Sequence, residues 1–98
     1  MNKYLLKLFI TGQTVRSSSA ITNLRRICEK ELGTDYELVI IDVLERPQVA
    51  EDEKILATPT LIKELPLPVR RIIGDLSDTK QVLLGLELLH QKSTAEEK

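Results

Sequence analysis

Apolar residues in this chain alternate or run together in some stretches and fall at helical spacing in others. The breaks between them mark the elements. From Tyr4 to Ile10, the residues Leu5, Leu6, Leu8, Phe9 and Ile10 are interrupted only by Lys7. That pattern predicts an interior strand covered on both faces. Thr11-Gly12-Gln13-Thr14 breaks it, and Ser17, Ser18 and Ser19 then offer N-cap oxygens to orphan helix amides. Ala20, Ile21, Leu24, Ile27, Cys28 and Leu32 follow at helical spacing, with Arg25, Arg26, Glu29 and Lys30 on the wet face. A helix over Ser18–Leu32 is predicted, stopped by Gly33. Tyr36–Val43 is β-branched and nearly continuous, which predicts a buried strand. Strand, helix and strand make a right-handed βαβ unit with parallel strands.

The second half is punctuated by proline. Leu44–Glu53 is polar and acidic and is broken by Pro47, with Val49, Ala50, Ile55 and Leu56 allowing a short helix. Thr58-Pro59-Thr60-Leu61-Ile62 reads as a strand opened by a proline, and Val69–Asp75 as a strand closed by a Gly-Asp turn. Between them Leu65-Pro66-Leu67-Pro68 can be neither regular helix nor central strand. After Ser77 the pattern divides. Ser77 or Asp78 can cap a helix bearing Val82, Leu83, Leu86 and Leu89, while Val82, Leu84, Leu86 and Leu88 also alternate as a strand would. Leucine tips the reading to helix, although Gly85 weakens a helix interior by about 1 kcal/mol relative to alanine. The expected assembly is βαβ, a short helix, then ββα, one α/β domain over residues 1–90 with a polar tail at 91–98. This is the thioredoxin-like order, and it sets the Thr58-Pro59 bond where that fold carries a cis-proline.

Composition narrows the function classes. With 42% apolar and 30% charged residues the chain is globular rather than disordered. A net charge of −1 and only Tyr4, Phe9 and Tyr36 as aromatics argue against a nucleic-acid surface. Cys28 is the single cysteine, which excludes an internal disulfide and suits a reducing cytoplasm. No run approaches the ~20 apolar residues that a membrane helix needs, so membrane insertion is not expected.

Candidate chemistry is sparse. A dithiol enzyme needs Cys-x-x-Cys at the start of the first helix, and Thr11–Ser17 holds no sulfur. His90 has no Cys or His partner at ligand spacing, so neither a metal site nor a cofactor is expected. Asp42, Glu45, Glu51, Asp52 and Glu53 read as a solvated acidic face rather than a catalytic pair. No catalytic residues are expected and the chain is read as no enzyme. Arg70 and Arg71, adjacent on a strand, point to opposite faces. They serve either as charges guarding an edge strand or as anchors for a partner.

The run Lys54-Ile55-Leu56-Ala57-Thr58-Pro59-Thr60-Leu61, continuing through Leu65-Pro66 and Pro68–Ser77 to Val82-Leu83 and Gly85-Leu86, resembles the KaiB family of circadian clock proteins. Asp42-Val43-Leu44, Pro47-Gln48, Ala50-Glu51, Leu6-Lys7-Leu8 and Gly12 extend the resemblance over residues 4–89. Gly12-Gln13-Thr14-Val15 stands where the family usually has Gly-Asn-Thr-Pro, and Glu87 where it often has aspartate. Ser19 and Val39 replace residues that are often basic in clock members.

The resemblance implies a cyanobacterial clock component in which one sequence has two folds. The resting form is a homotetramer with its own C-terminal half. A rarer thioredoxin-like monomer binds the hexameric ATPase KaiC, sequesters KaiA and competes with the kinase SasA. Lys54, Arg70 and Arg71 become candidate partner-binding residues, and Gly85 and Glu87 candidates for tuning the two folds. Pro59, Pro66 and Pro68 offer slow isomerisation, tens to hundreds of seconds per bond, as a brake on switching. Proline-to-alanine variants that switch at unchanged rates would exclude that role. A KaiB-like adaptor for a signalling or stress partner is the alternative reading.

Overall fold

The computed structural model describes residues 3–88. Its elements run β1 (Tyr4–Ile10), α1 (Val15–Glu31), β2 (Tyr36–Asp42), α2 (Pro47–Asp52), β3 (Thr60–Leu65), β4 (Arg70–Ile73) and α3 (Thr79–Gly85). The sheet order is β2-β1-β3-β4. β1 pairs parallel with β2, with Leu6 opposite Leu38. It pairs antiparallel with β3, with Leu8 opposite Leu61, and β3 pairs antiparallel with β4.

Period-two alternation sorts β1 between two layers. Leu6, Leu8 and Ile10 join Leu61 under α1 and α3, against Ala20, Leu24, Ile27, Cys28, Val82 and Leu86. Phe9 and Ile62, also buried, belong to the opposite face. On that face Lys7 meets Glu53, just past α2, at 3.3 Å and Glu64 at 3.1 Å. The expected interior strand, short helix and ββα ending are all present.

Several boundaries differ from expectation. β2 is an edge strand rather than a buried one: Glu37 and Val39 are exposed, while Tyr36, Leu38 and Ile40 reach the core. Its apolar content matched a buried strand, but β3 returns on the other flank of β1 and leaves β2 outside. α1 starts at Val15 because Thr14, not a serine, is its cap, its hydroxyl accepting from the Ser17 amide at 3.1 Å. Ser17 is buried inside the first turn, its hydroxyl donating to the Thr11 carbonyl. Pro47 opens α2 instead of breaking it, since the first helical position has no need of its missing N–H. Ile55 and Leu56 fall outside α2, and Leu56 is 95% exposed. β3 begins at Thr60, after a cis Thr58-Pro59 bond, and runs through Leu65. β4 covers only Arg70–Ile73. The divided C-terminal pattern resolves as helix, capped by the Asp78 side chain on the Gln81 amide. Leu89, His90 and the 91–98 tail lie outside the described residues.

Candidate partner surface and switch segment

β4 is the sheet edge opposite β2, so its two arginines separate as strand geometry requires. Arg71 turns to the α2 side, where its guanidinium donates to the carbonyls of Lys54, at 3.2 Å, and Glu53. Lys54 follows α2 with φ of +57°, a left-handed conformation that L-residues other than glycine seldom adopt. Its amide bonds to the Glu51 carbonyl, and the Ile55 amide to the Ala50 carbonyl at 2.9 Å. That pair is the usual left-handed helix stop with lysine where glycine is preferred. The structure therefore brings Lys54 and Arg71 together on one face.

Arg70 lies on the other face, beside α3. Its guanidinium donates to Glu87 Oε2 at 3.0 Å, while Glu87 Oε1 accepts from Lys63 Nζ at 3.3 Å. Lys63 is 0% exposed, and its ammonium sits 6.0 Å from the centroid of the Tyr4 ring. The Tyr4 hydroxyl donates to the Leu86 carbonyl at 3.2 Å. Hydrogen bonds from Arg70, then Lys63, hold the Glu87 carboxyl below its ordinary pKa. Burial, with the Glu87 charge, pushes the Tyr4 phenol up. Lys63 and Tyr4 were not singled out from the sequence. Lys63 shares the parity of Leu61, which places it inward, but its counter-charge is 24 positions away.

Glu87 itself is left-handed, with φ of +63°. Its amide meets the Leu84 carbonyl at 3.0 Å and the Leu88 amide the Leu83 carbonyl at 2.8 Å, so α3 ends as α2 does. Gly85, the last residue of α3, packs on Ile72 of β4. An open groove of about 660 Å³ runs between β4 and α3 past Arg70, Ile72, Gly85 and Glu87. The other switch candidates are dispersed. Pro59 is buried at the start of β3, its carbonyl accepting from the Gly74 amide at 3.0 Å. Pro66 and Pro68 lie in the β3–β4 loop among exposed Leu65, Leu67 and Val69. The peptide bonds before all three are cis.

At the opposite end of the sheet, the spacing that a dithiol would use holds two hydroxyls. Thr14 and Ser17, the cap and third residue of α1, are hydrogen-bonded at 2.9 Å. The Thr11 and Thr58 hydroxyls pair beside them. Asp42 fastens both neighbouring loops, one carboxylate oxygen accepting from the Gly12 amide at 3.0 Å and the Leu44 amide at 2.9 Å. Cys28 is buried, and burial, reinforced by the Glu29 charge, pushes its thiol up to about 11. Among the described residues no group of three or more His, Cys, Asp or Glu side chains could hold a metal, and no helix is long and apolar enough to cross a membrane.

The model of the KaiB domain family matches residues 7–88. The chain is 60% identical over 89 residues to the circadian clock protein KaiB3 of Synechocystis sp., covering 91% of this chain and 87% of that one. It is 54% identical over 101 aligned positions to the circadian clock oscillator protein KaiB of Nostoc sp., covering 99% and 94%. Among solved structures, the N-terminal domain of Synechococcus elongatus SasA superposes with a TM-score of 0.72 at 26% identity, covering 92% of this chain and 89% of that one. Mitochondrial thioredoxin 3 from Saccharomyces cerevisiae gives 0.71 at 21% identity, covering 91% and 81%. The fold is thioredoxin-like α/β, as the element order predicted.

Proposed function

Because the chain belongs to the KaiB family, we propose that it is a circadian clock component that binds a KaiC-type ATPase and regulates its phosphorylation cycle. Binding uses the thioredoxin-like form described above. The observation that carries this reading is the C-terminal half. In a chain 54–60% identical to named clock proteins, β3, β4 and α3 complete the same fold as the N-terminal domain of SasA. Two domains of one shape suit competition for one docking site, and KaiA is captured once this chain is docked.

Lys54, Arg70 and Arg71 supply the basic contacts. Lys54 and Arg71 act as one unit, and Arg70 acts from the α3 side. Pro59, Pro66, Pro68, Gly85 and Glu87 govern exchange with a resting tetramer whose C-terminal half packs differently. A partner that selects a minor conformer sees its affinity reduced by that conformer's population. Tetramer formation adds a concentration-dependent penalty. The work is binding, without catalysis.

A second reading, a KaiB-like adaptor for a signalling or stress partner, draws on Val15. It is 82% exposed at the mouth of α1, where the family pattern has proline. One experiment separates the two. Dilute protein is mixed with excess KaiC-type hexamer and ATP, and association is followed over hours. A slow approach whose rate saturates with hexamer supports the clock reading. No association in either phosphorylation state leaves the adaptor.

A further inference from the structure

We propose that Lys7 is a positioning residue: together with Arg71 it clamps the Glu53–Lys54 turn, so that the Lys54 ammonium is held out for a carboxylate of the partner. The inference deepens the reading above and rests on Lys54 being a partner contact. Strand register places the two cations. Lys7 of β1 lies opposite Ile62 of β3, and Ile62 lies opposite Arg71 of β4. The three form one row across the sheet, with their side chains on the α2 face. Ile62 is buried in the middle of that row, and a cation stands on either side of it.

Both cations act on the same turn. Lys7 Nζ meets the Glu53 carboxylate at 3.3 Å and is kept in place by Glu64 at 3.1 Å. The Arg71 guanidinium donates to the Lys54 carbonyl at 3.2 Å and to the Glu53 carbonyl. Side chain and backbone of one turn are thus gripped from two strands. The turn needs that grip. α2 has six residues, none of them buried, and Lys54 takes a left-handed φ of +57° that lysine does not favour. The Lys54 side chain is exposed and forms no ion pair among the described residues, so it is the free charge of the turn. With Lys7 24% and Glu53 31% exposed, their pair adds little to stability. What it supplies is orientation, since a contact group fixed before docking has less freedom to lose.

Association with a KaiC-type hexamer is measured for the wild type, Lys7→Met, Lys54→Met and the double variant, methionine keeping most of each apolar stem. Lys7→Met is expected to weaken association about three- to tenfold, and to change it by less than about twofold in the Lys54→Met background. Any shift in folding or assembly acts in both backgrounds and cancels. Equal losses in the two backgrounds overturn the proposal, because Lys7 would then touch the partner itself or support the chain as a whole. So does unchanged association in Lys7→Met. A partner-free arm measures native-state hydrogen exchange at the Lys54 and Ile55 amides, bonded to the Glu51 and Ala50 carbonyls. Lys7→Met should speed exchange there at least about threefold while the α1 amides are unmoved. Unchanged exchange at the turn overturns the clamp. If even the wild type fails to associate, the KaiC reading falls, and exchange at Lys54 and Ile55 alone decides whether the turn is clamped.

Discussion

Gly85 lies so close to Ile72 that a Cβ there would stand 2.5 Å from Cδ1 and 2.8 Å from Cγ1. Glycine to alanine in a helix ordinarily gains about 1 kcal/mol, and here that gain is opposed by overlap with a half-buried side chain. Ile72→Val removes Cδ1, the nearer obstacle. Gly85→Ala should therefore be more favourable in the Ile72→Val background than in the wild type, by about 0.5–2 kcal/mol of coupling. Urea unfolding of the four proteins of the cycle measures it. Additive effects, or coupling of opposite sign, would remove Ile72 from the account.

Lys54 closes α2 in the left-handed region, which costs an L-residue about 1–2 kcal/mol and glycine little. Part of the relief from Lys54→Gly is lost to the freer unfolded chain. The variant should be more stable by about 0.5–1 kcal/mol, yet associate more weakly with a KaiC-type hexamer. Stability rising while association falls would mark strain kept for function. Stability and association rising together would mean that the lysine side chain touches no partner.

Much of the architecture was legible because β1 and α1 carry their burial in the sequence. Leu6, Leu8 and Ile10 alternate, and Ala20, Leu24 and Ile27 fall on one helical face. The edge position of β2 was not legible, since Tyr36–Asp42 has the same residue types in an edge or a central strand. Helix ends were legible only where glycine marks them. Gly33 announces the end of α1, whereas Lys54 and Glu87 take up the same left-handed geometry with no glycine to signal it. Within the site, the strand period correctly sent Arg70 and Arg71 to opposite faces. That Arg71 joins Lys54 while Arg70 joins Glu87 depends on how α2 and α3 pack, and no local pattern carries that.

Glu87 also sets an acid limit. Its folded-state pKa lies below the ordinary 4.5, first through Arg70 and then Lys63. A depressed carboxyl contributes stability above its unfolded pKa and loses it as pH falls through the folded value. Carbon-detected titration of the Glu87 carboxyl should give a midpoint below 4.5 in the wild type. Arg70→Gln, which removes the larger cause, should raise that midpoint while Lys63 keeps it from returning fully. An unmoved midpoint would show that Arg70 only neighbours the carboxylate.

Thr14 and Ser17 hold, at the start of α1, the two positions that a Cys-x-x-Cys dithiol would take. Their oxygens are 2.9 Å apart, at the cap and third position of α1. The thiol at such a helix start is lowered by the dipole. Thr14→Cys with Ser17→Cys should therefore oxidise in air to an intramolecular disulfide. Cys28, buried and pushed up to about 11, should stay out of the exchange, because at pH 8 only about one thiol in a thousand is ionised. Thiol counting with an aromatic disulfide reagent distinguishes the outcomes. The oxidised double variant should show no reactive thiol when native and one when denatured. Three reactive thiols on denaturation would mean that the loop before α1 holds the two positions too far apart to bond. The absence of a dithiol would then extend to the backbone, and this end of the fold would owe little to its thioredoxin-like shape.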